Sequence, residues 1–335
     1  MPASGLHRPP SVGQSDRVFE DPFVDPERIV TALHDVYGFH ALELALLSLG
    51  ADPDTVVHRA VAANGRAYFV KLRRGVFDEA SVTVPRFLAN LGVAQIIEPV
   101  PTRTGRPWAQ LGGLRLIVYP FVDGRSALEV PFTDRHWIEL GAALARIHRA
   151  VLPRALAERL QRETYTGRWR ELAKGFVERG AAGELGALLR ERRGEILEIV
   201  MRAEQLASSL RARPPGLTLC HSDLHAGNML IDANDRLFIV DWDNPILAPR
   251  ERDLMFVGGA QGFIGHTPEQ EEALFYGAYG RTTLDPIALA YYRYERVIQD
   301  IAVNCAQPST DALRWLQANF VPGGTIARAR SADPG

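Results

Sequence analysis

The stretch Leu219-Cys220-His221-Ser222-Asp223-Leu224-His225-Ala226-Gly227-Asn228 is followed eleven residues later by Ile239-Val240-Asp241-Trp242-Asp243. Between them run two apolar-rich segments, Met229-Leu230-Ile231-Asp232 and Arg236-Leu237-Phe238-Ile239-Val240, separated by Ala233-Asn234-Asp235. Short apolar runs around turn residues predict a β-hairpin. The midpoint of 228 and 241 is 234.5, between Asn234 and Asp235. A tight turn there sets Asn228 opposite Asp241. Directly opposed residues lie roughly 4.5–5.5 Å apart, so an amide oxygen and a carboxylate could share one cation. Asp223 stands just upstream, in the loop that enters the hairpin.

Any one of these residues alone is more simply structural, because Asp and Asn cap turns and helices. All three at these spacings, around a centred turn, favour a site. His221 and His225 have the i, i+4 spacing of a zinc-binding H-E-x-x-H helix. Ser222 stands where that motif needs Glu, and the segment runs from a strand (Leu217-Thr218-Leu219-Cys220) into a Gly-containing loop. Zinc is rejected on that ground.

The order Asp, Asn, Asp matches the H-R-D-x-x-x-x-N and D-F-G elements of kinases. Phosphoryl transfer asks for one carboxylate to orient a hydroxyl and for oxygen ligands that hold Mg²⁺ on the phosphates. Upstream, Val56-Val57-His58-Arg59-Ala60-Val61 and Arg66-Ala67-Tyr68-Phe69-Val70-Lys71-Leu72 flank Asn64-Gly65, a strong hairpin signal. A strand lysine most often faces solvent. Ahead of a kinase-like loop, Lys71 becomes the candidate that neutralises the α/β-phosphates. Its expected carboxylate partner is Glu79, which opens an amphipathic stretch, although a first-turn Glu also complements a helix dipole. Ser48-Leu49-Gly50-Ala51-Asp52 lies where a phosphate-covering turn belongs, without a G-x-G-x-x-G signature. Leu114-Arg115-Leu116-Ile117-Val118-Tyr119 reads as a buried strand breaking at Pro120-Phe121-Val122-Asp123-Gly124. In a kinase-like architecture this is the connector between lobes, with Tyr119 and Phe121 as backbone contacts for adenine. An ordinary strand exit would leave the same pattern.

At 335 residues and 46% hydrophobic, the chain can bury a large core and divide into two lobes. A formal charge of −2 gives no support to a nucleic-acid or membrane-surface role. Two cysteines, Cys220 and Cys305, fit a reduced, cytoplasmic setting. No apolar leader and no membrane-spanning run is expected. Residues 134–150 carry a helical apolar stripe with Asp134 as its cap, and His148 on it is expected to be packed or at the surface. Charged helices are expected over 171–211, and a further helix over 289–306. Strands first and helices later give an α+β, bilobal arrangement. The boundaries are a disordered arm over 1–18, a nucleotide-binding lobe over 19–122, a helical lobe over 123–325 and a tail over 326–335.

With Lys71, Asp223, Asn228 and Asp241 in hand, the chain resembles the aminoglycoside phosphotransferase family, which has a protein-kinase-like fold. The residues that carry the resemblance are His221-Ser222-Asp223-Leu224-His225-Ala226-Gly227-Asn228, Val240-Asp241-Trp242 and Arg252-Asp253-Leu254. It covers roughly residues 30 to 310. Ser222 departs from the usual Gly, which implies a different loop or an added hydroxyl near the phosphates. The runs after Asp241 and Tyr291-Tyr292-Arg293-Tyr294-Glu295-Arg296-Val297-Ile298-Gln299-Asp300 look like the spectinomycin phosphotransferase branch.

The resemblance implies an ATP- and Mg²⁺-dependent enzyme that phosphorylates a hydroxyl of an aminocyclitol or aminoglycoside, with GTP left open as donor. Asp223 is the expected catalytic residue, and Asn228 and Asp241 the expected metal ligands. Such acceptors are cationic, so Asp223, Asp243, Glu295 and Asp300 are the candidates for an acidic cleft. Tyr291 and Tyr294 either line the pocket or belong to the core. The expected partner is a small molecule, and the expected state a monomer or weak dimer. A kinase for a small amino alcohol or amino acid on the same scaffold is the alternative, and a non-catalytic nucleotide-binding sensor the alternative of another class.

Overall fold

The computed structural model describes residues 24–47, 54–180, 183–307 and 312–335. The expected arm over 1–18 and the expected phosphate-covering turn over 48–52 lie outside them. The chain divides into two compact units. The first holds residues up to Gly75 together with Pro101–Phe121, and the second holds Val76–Val100 with Val122–Gly335. The segment 76–100, expected in the N-terminal lobe, packs with the second unit instead. Among the described residues, no helix is long and apolar enough to cross a membrane.

In the first unit, helix α1 (Pro26–Ala32) is capped by Asp25 and runs into a π-helical turn, Leu33–Tyr37. Strands β1 (Ala41–Leu47), β2 (Thr55–Ala62), β3 (Ala67–Arg73), β4 (Ala109–Leu111) and β5 (Leu114–Pro120) form one antiparallel sheet, ordered β1-β2-β3-β5-β4. The turn between β2 and β3 closes on the pair Ala62 and Arg66, with Gly65 at φ 78°. Three residues fill this loop, and only the last needs the left-handed conformation that glycine supplies. Val70 and Leu72 face one side, in register with Val118 and Leu116, and all four are buried. Lys71 therefore points to the other side, flanked by Val57 and Ile117. Both neighbours are buried, so the lysine stem lies along apolar surface. At the end of β5 the Phe121 N–H donates to the Ala67 carbonyl at 3.1 Å. That donor is spent on the ladder, which removes it as the expected adenine contact.

The second unit contains α2 (Ala80–Asn90), β6 (Gly124–Ser126), α3 (Asp134–His148), α4 (Arg154–Ala157), β7 (Gln161–Arg162), α5 (Arg168–Arg179), α6 (Gly183–Glu191) and α7 (Arg193–Ala212). It continues with β8 (Thr218–Cys220), β9 (Met229–Asp232), β10 (Leu237–Ile239), β11 (Ile246–Ala248), α8 (Glu251–Leu254), α9 (Pro268–Tyr279), α10 (Pro286–Ala306), α11 (Ala312–Asn319) and α12 (Thr325–Ala332). Helix α10 is central, packing on α5, α7 and α12, while α3 packs on α9. A side chain at Gly141 of α3 would run into the Phe275 carbonyl of α9, so this helix pair needs a residue without Cβ. The cap of α3 is Thr133 rather than Asp134. Its hydroxyl accepts from His136 N, and His136 Nδ1 accepts from Thr133 N, a reciprocal capping box. The expected tail is largely helix α12, whose Ile326 and Ala329 are buried. Two three-stranded sheets, β10-β9-β6 and β7-β11-β8, carry the loops described next.

Candidate active site

Strand β8 delivers the loop that begins at His221. The first two loop amides, His221 N and Ser222 N, donate to the two oxygens of Asp253 on α8, at 2.9 and 2.7 Å. Asp253 is fully buried, and His148 Nε2 lies 3.0 Å from its Oδ2. A carboxylate only accepts, so this imidazole donates to it from Nε2, and its Nδ1 lies 2.8 Å from the Tyr279 hydroxyl. Three donors thus meet this carboxylate, and a buried acid is tolerated when it is hydrogen-bonded in this way. Sequence reasoning noted Asp253 without giving it a role and left His148 as a packing residue. The only signal in the sequence was its place in the run Arg252-Asp253-Leu254 that carries the family resemblance.

Ser222 has φ 76°, so the left-handed turn that favours Gly is kept despite the side chain. Its hydroxyl donates to the Asn244 carbonyl at 2.9 Å. The added hydroxyl is thus bonded to the backbone of the segment after Asp241. Next along the chain, Asp223 N donates to His221 Nδ1 at 3.2 Å, while His221 Nε2 meets the Val240 carbonyl at 2.9 Å. One neutral imidazole thus ties the backbone at Asp223 to the backbone before Asp241. Trp242 packs edge-on against that ring, centroids 4.5 Å apart. Asn228 Nδ2 donates to the Asp223 carbonyl at 2.8 Å. Since that carbonyl only accepts, the amide nitrogen of Asn228 is fixed and its oxygen is left for another partner.

The hairpin forms with a register one residue away from the expected one. Ile239 pairs with Met229, and Val240 N donates to Asn228 O at 3.0 Å, so Val240 stands opposite Asn228 and Asp241 lies one step beyond. The cause is the turn. Asp232 and Arg236 close it around three residues, with Asp235 at φ 59°. A three-residue loop of this kind centres on Asn234, not between two residues. Asp241 itself has φ 63° and is exposed, at the point where the chain leaves β10.

Arg296 of α10 brings its Nη1 to 2.6 Å from Asp223 Oδ1, and its Nε to 3.0 Å from Asp300 Oδ1. The other oxygen of Asp223 lies 3.6 Å from His225 Nε2 and 3.5 Å from Asn228 Nδ2. Partial desolvation would raise the pKa of Asp223. The nearby His225 imidazole and the Arg296 guanidinium outweigh it and hold the carboxyl well below its usual range. Asp300 is therefore brought to the loop. Glu295 is not. It is buried against Arg170 Nη1 at 2.5 Å, which also meets the Tyr291 hydroxyl at 3.3 Å. Burial raises the pKa of Glu295 against the pull of Arg170. That carboxylate belongs to the core, which corrects its place in an acidic cleft, and Tyr291 and Tyr294 take the core alternative, both being buried. Asp243 is half-buried one residue past Trp242. Glu79, expected beside Lys71, belongs to the second unit and pairs with Arg159 at 2.9 Å.

Residues 43–292 match the model of the phosphotransferase enzyme family (APH), three quarters of the chain. The chain belongs to this family. Its α+β arrangement is the kinase-like fold of these phosphotransferases. The chain is similar to spectinomycin phosphotransferase, APH(9)-Ia, whose structure in complex with ADP and spectinomycin is 29% identical. That match covers 93% of this chain and 99% of that one, with a TM-score of 0.84. Amicoumacin kinase hAmiN, at 16% identity over 93% of this chain and 96% of that one and a TM-score of 0.62, shares the fold. Protein StrN of Streptomyces griseus is 26% identical over 182 residues, 51% of this chain and 56% of that protein. The chain thus spans about half the length of the curated relative it matches. The structure of amicoumacin kinase hAmiN holds Ca²⁺ together with AMP-PNP. The amide oxygen of Asn228 and the carboxylate of Asp241 are hard oxygen donors of the type Mg²⁺ prefers, so the residues present fit the ion.

Proposed function

We propose that this phosphotransferase moves the γ-phosphoryl group of ATP, or of GTP, to a hydroxyl of a small cationic acceptor, an aminocyclitol of the spectinomycin kind. The observation that carries the proposal is the Asp223 loop, with its backbone held on both sides, in a chain similar over nearly its whole length to a protein that holds ADP and spectinomycin. The acceptor hydroxyl donates to Asp223 Oδ2 and its oxygen attacks the γ-phosphorus. As that O–P bond forms, the bond from phosphorus to the bridging oxygen breaks and the electron pair leaves with the diphosphate. The hydroxyl proton passes to Asp223 and on to solvent. The transition state is loose, so Asp223 acts mainly by aiming the hydroxyl. Lys71 supplies a positive charge for the α/β-phosphates. Asn228 and Asp241 would hold Mg²⁺, which when bound neutralises charge on the phosphates. Asp243 is the carboxylate we assign to the acceptor's ammonium groups.

The test is purified protein with Mg-ATP against spectinomycin, other aminocyclitols, aminoglycosides and amino alcohols, with product mass as the readout. A phosphorylated aminocyclitol is the expected product. Turnover of choline or homoserine with none of any antibiotic sinks the acceptor assignment. Asp223→Ala should lower turnover by roughly 10²–10⁴-fold while ADP binding persists.

A further inference from the structure

We infer that Arg296 is the residue that positions Asp223 for transfer, by holding one carboxylate oxygen so that the other alone meets the acceptor hydroxyl. This rests on Asp223 being the catalytic carboxylate. The backbone of Asp223 is fixed by His221 at its N–H and by Asn228 at its carbonyl. Neither bond restrains the side chain, which is 41% exposed and could rotate. Arg296 restrains it. Its Nη1 sits 2.6 Å from Oδ1, a charge-assisted bond. Around Oδ2 the donors Asn228 Nδ2 and His225 Nε2 lie at 3.5 and 3.6 Å, long contacts beside the 2.6 Å bond at Oδ1, so Oδ2 is the oxygen with room for a closer donor.

Arg296 is itself held. Asp300, one turn along α10, pairs with it, the ring of Phe256 lies 5.7 Å from its guanidinium carbon, and its side chain is only 18% exposed. Residues four apart share a helix face, so α10 presents Arg296 and its own counter-charge together. A rigid helix thus sets the orientation of a group on a loop, which is how reactive geometry is commonly fixed. A second effect concerns selectivity. With a guanidinium on Oδ1, an acceptor ammonium is kept off Asp223, which takes hydroxyls while another carboxylate takes amines.

Steady-state kinetics with Mg-ATP and spectinomycin on Arg296→Met, Arg296→Lys and Asp300→Asn test this, alongside ADP affinity and thermal unfolding. Arg296→Met should lower kcat by roughly 10–100-fold, with KM for spectinomycin and ADP affinity within about threefold. Lysine, which keeps one donor and the charge, should restore about a tenfold part of the loss. Asp300→Asn should lower kcat in the same direction and less, and it tests the idea if Arg296→Met fails to fold. A wild-type kcat in both Arg296 variants, or a loss confined to KM, overturns the inference. Asp223→Ala with normal turnover overturns the catalytic assignment instead. If the wild type is inert toward spectinomycin, the acceptor assignment falls, and the same kcat comparison is made on hydrolysis of Mg-ATP by water.

Discussion

Ser222 keeps a left-handed backbone that costs a residue with a side chain about 1–2 kcal/mol. Its bond to the Asn244 carbonyl returns about 1 kcal/mol of that. The two terms can be separated. Ser222→Ala keeps the strain and loses the bond, so it should be about 1 kcal/mol less stable than the wild type. Ser222→Gly loses the bond but removes the strain, and should stay within about 1 kcal/mol of it. Urea unfolding midpoints of the two variants check the order, and an alanine variant as stable as the glycine one would refute it. The position of the strain was legible, since Gly is usual there. The fate of the hydroxyl was not, because its partner lies 22 residues further on.

Helix α10 explains why Glu295 was misread. Successive helical residues point about 100° apart, so Glu295 and Arg296 serve different neighbours. Tyr291 and Glu295, four apart, both meet Arg170 of α5, while Arg296 and Asp300, also four apart, turn to the Asp223 loop. Charge and spacing alone do not say which face is buried. Glu295→Gln should leave Arg170 undercompensated inside the protein and lower stability by about 3 kcal/mol, with KM for the acceptor unchanged. An altered KM with unchanged stability would restore Glu295 to the pocket. The hairpin shows the same limit. Both strands were legible from their apolar runs, whereas the register depended on Asp235 adopting φ 59°, and a one-residue slip in the turn moved Asp241 off its expected place.

Over the whole molecule, the division into a strand-rich and a helix-rich part and the meeting of Asp223 with Asn228 were readable from local pattern. What escaped reading was whatever depends on burial among distant segments: the Asp253 clamp, the Arg170 cluster and the membership of 76–100. Stability against pH belongs here too. Glu271 of α9 is buried and accepts from Gly258 N at 3.0 Å. Burial lifts its pKa from 4.5 to about 7, against the opposing pull of the Gly258 amide, His266 and Arg328. Below 4.5 both folded and unfolded chains hold this proton. Between there and about 7 only the folded chain keeps it, so stability falls as pH rises, by up to about 3 kcal/mol. Glu271→Gln should therefore match the wild type near pH 5 and exceed it at pH 8, as read from melting temperatures at the two values. Equal melting temperatures at pH 8 would show that Glu271 ionises without penalty.

The carboxylate clamp also has a consequence for how the protein is made. The His221 and Ser222 amides await Asp253, 32 and 31 residues later, and Asp253 meets His148, 105 residues earlier. Arg296 reaches back 73 residues to Asp223. Contacts of such separation form after hairpins and single helices. A polypeptide emerging from the ribosome therefore displays the complete loop motif well before that loop has its working shape, and synthesis stopped ahead of α10 yields a chain with the motif and without the orientation of Asp223.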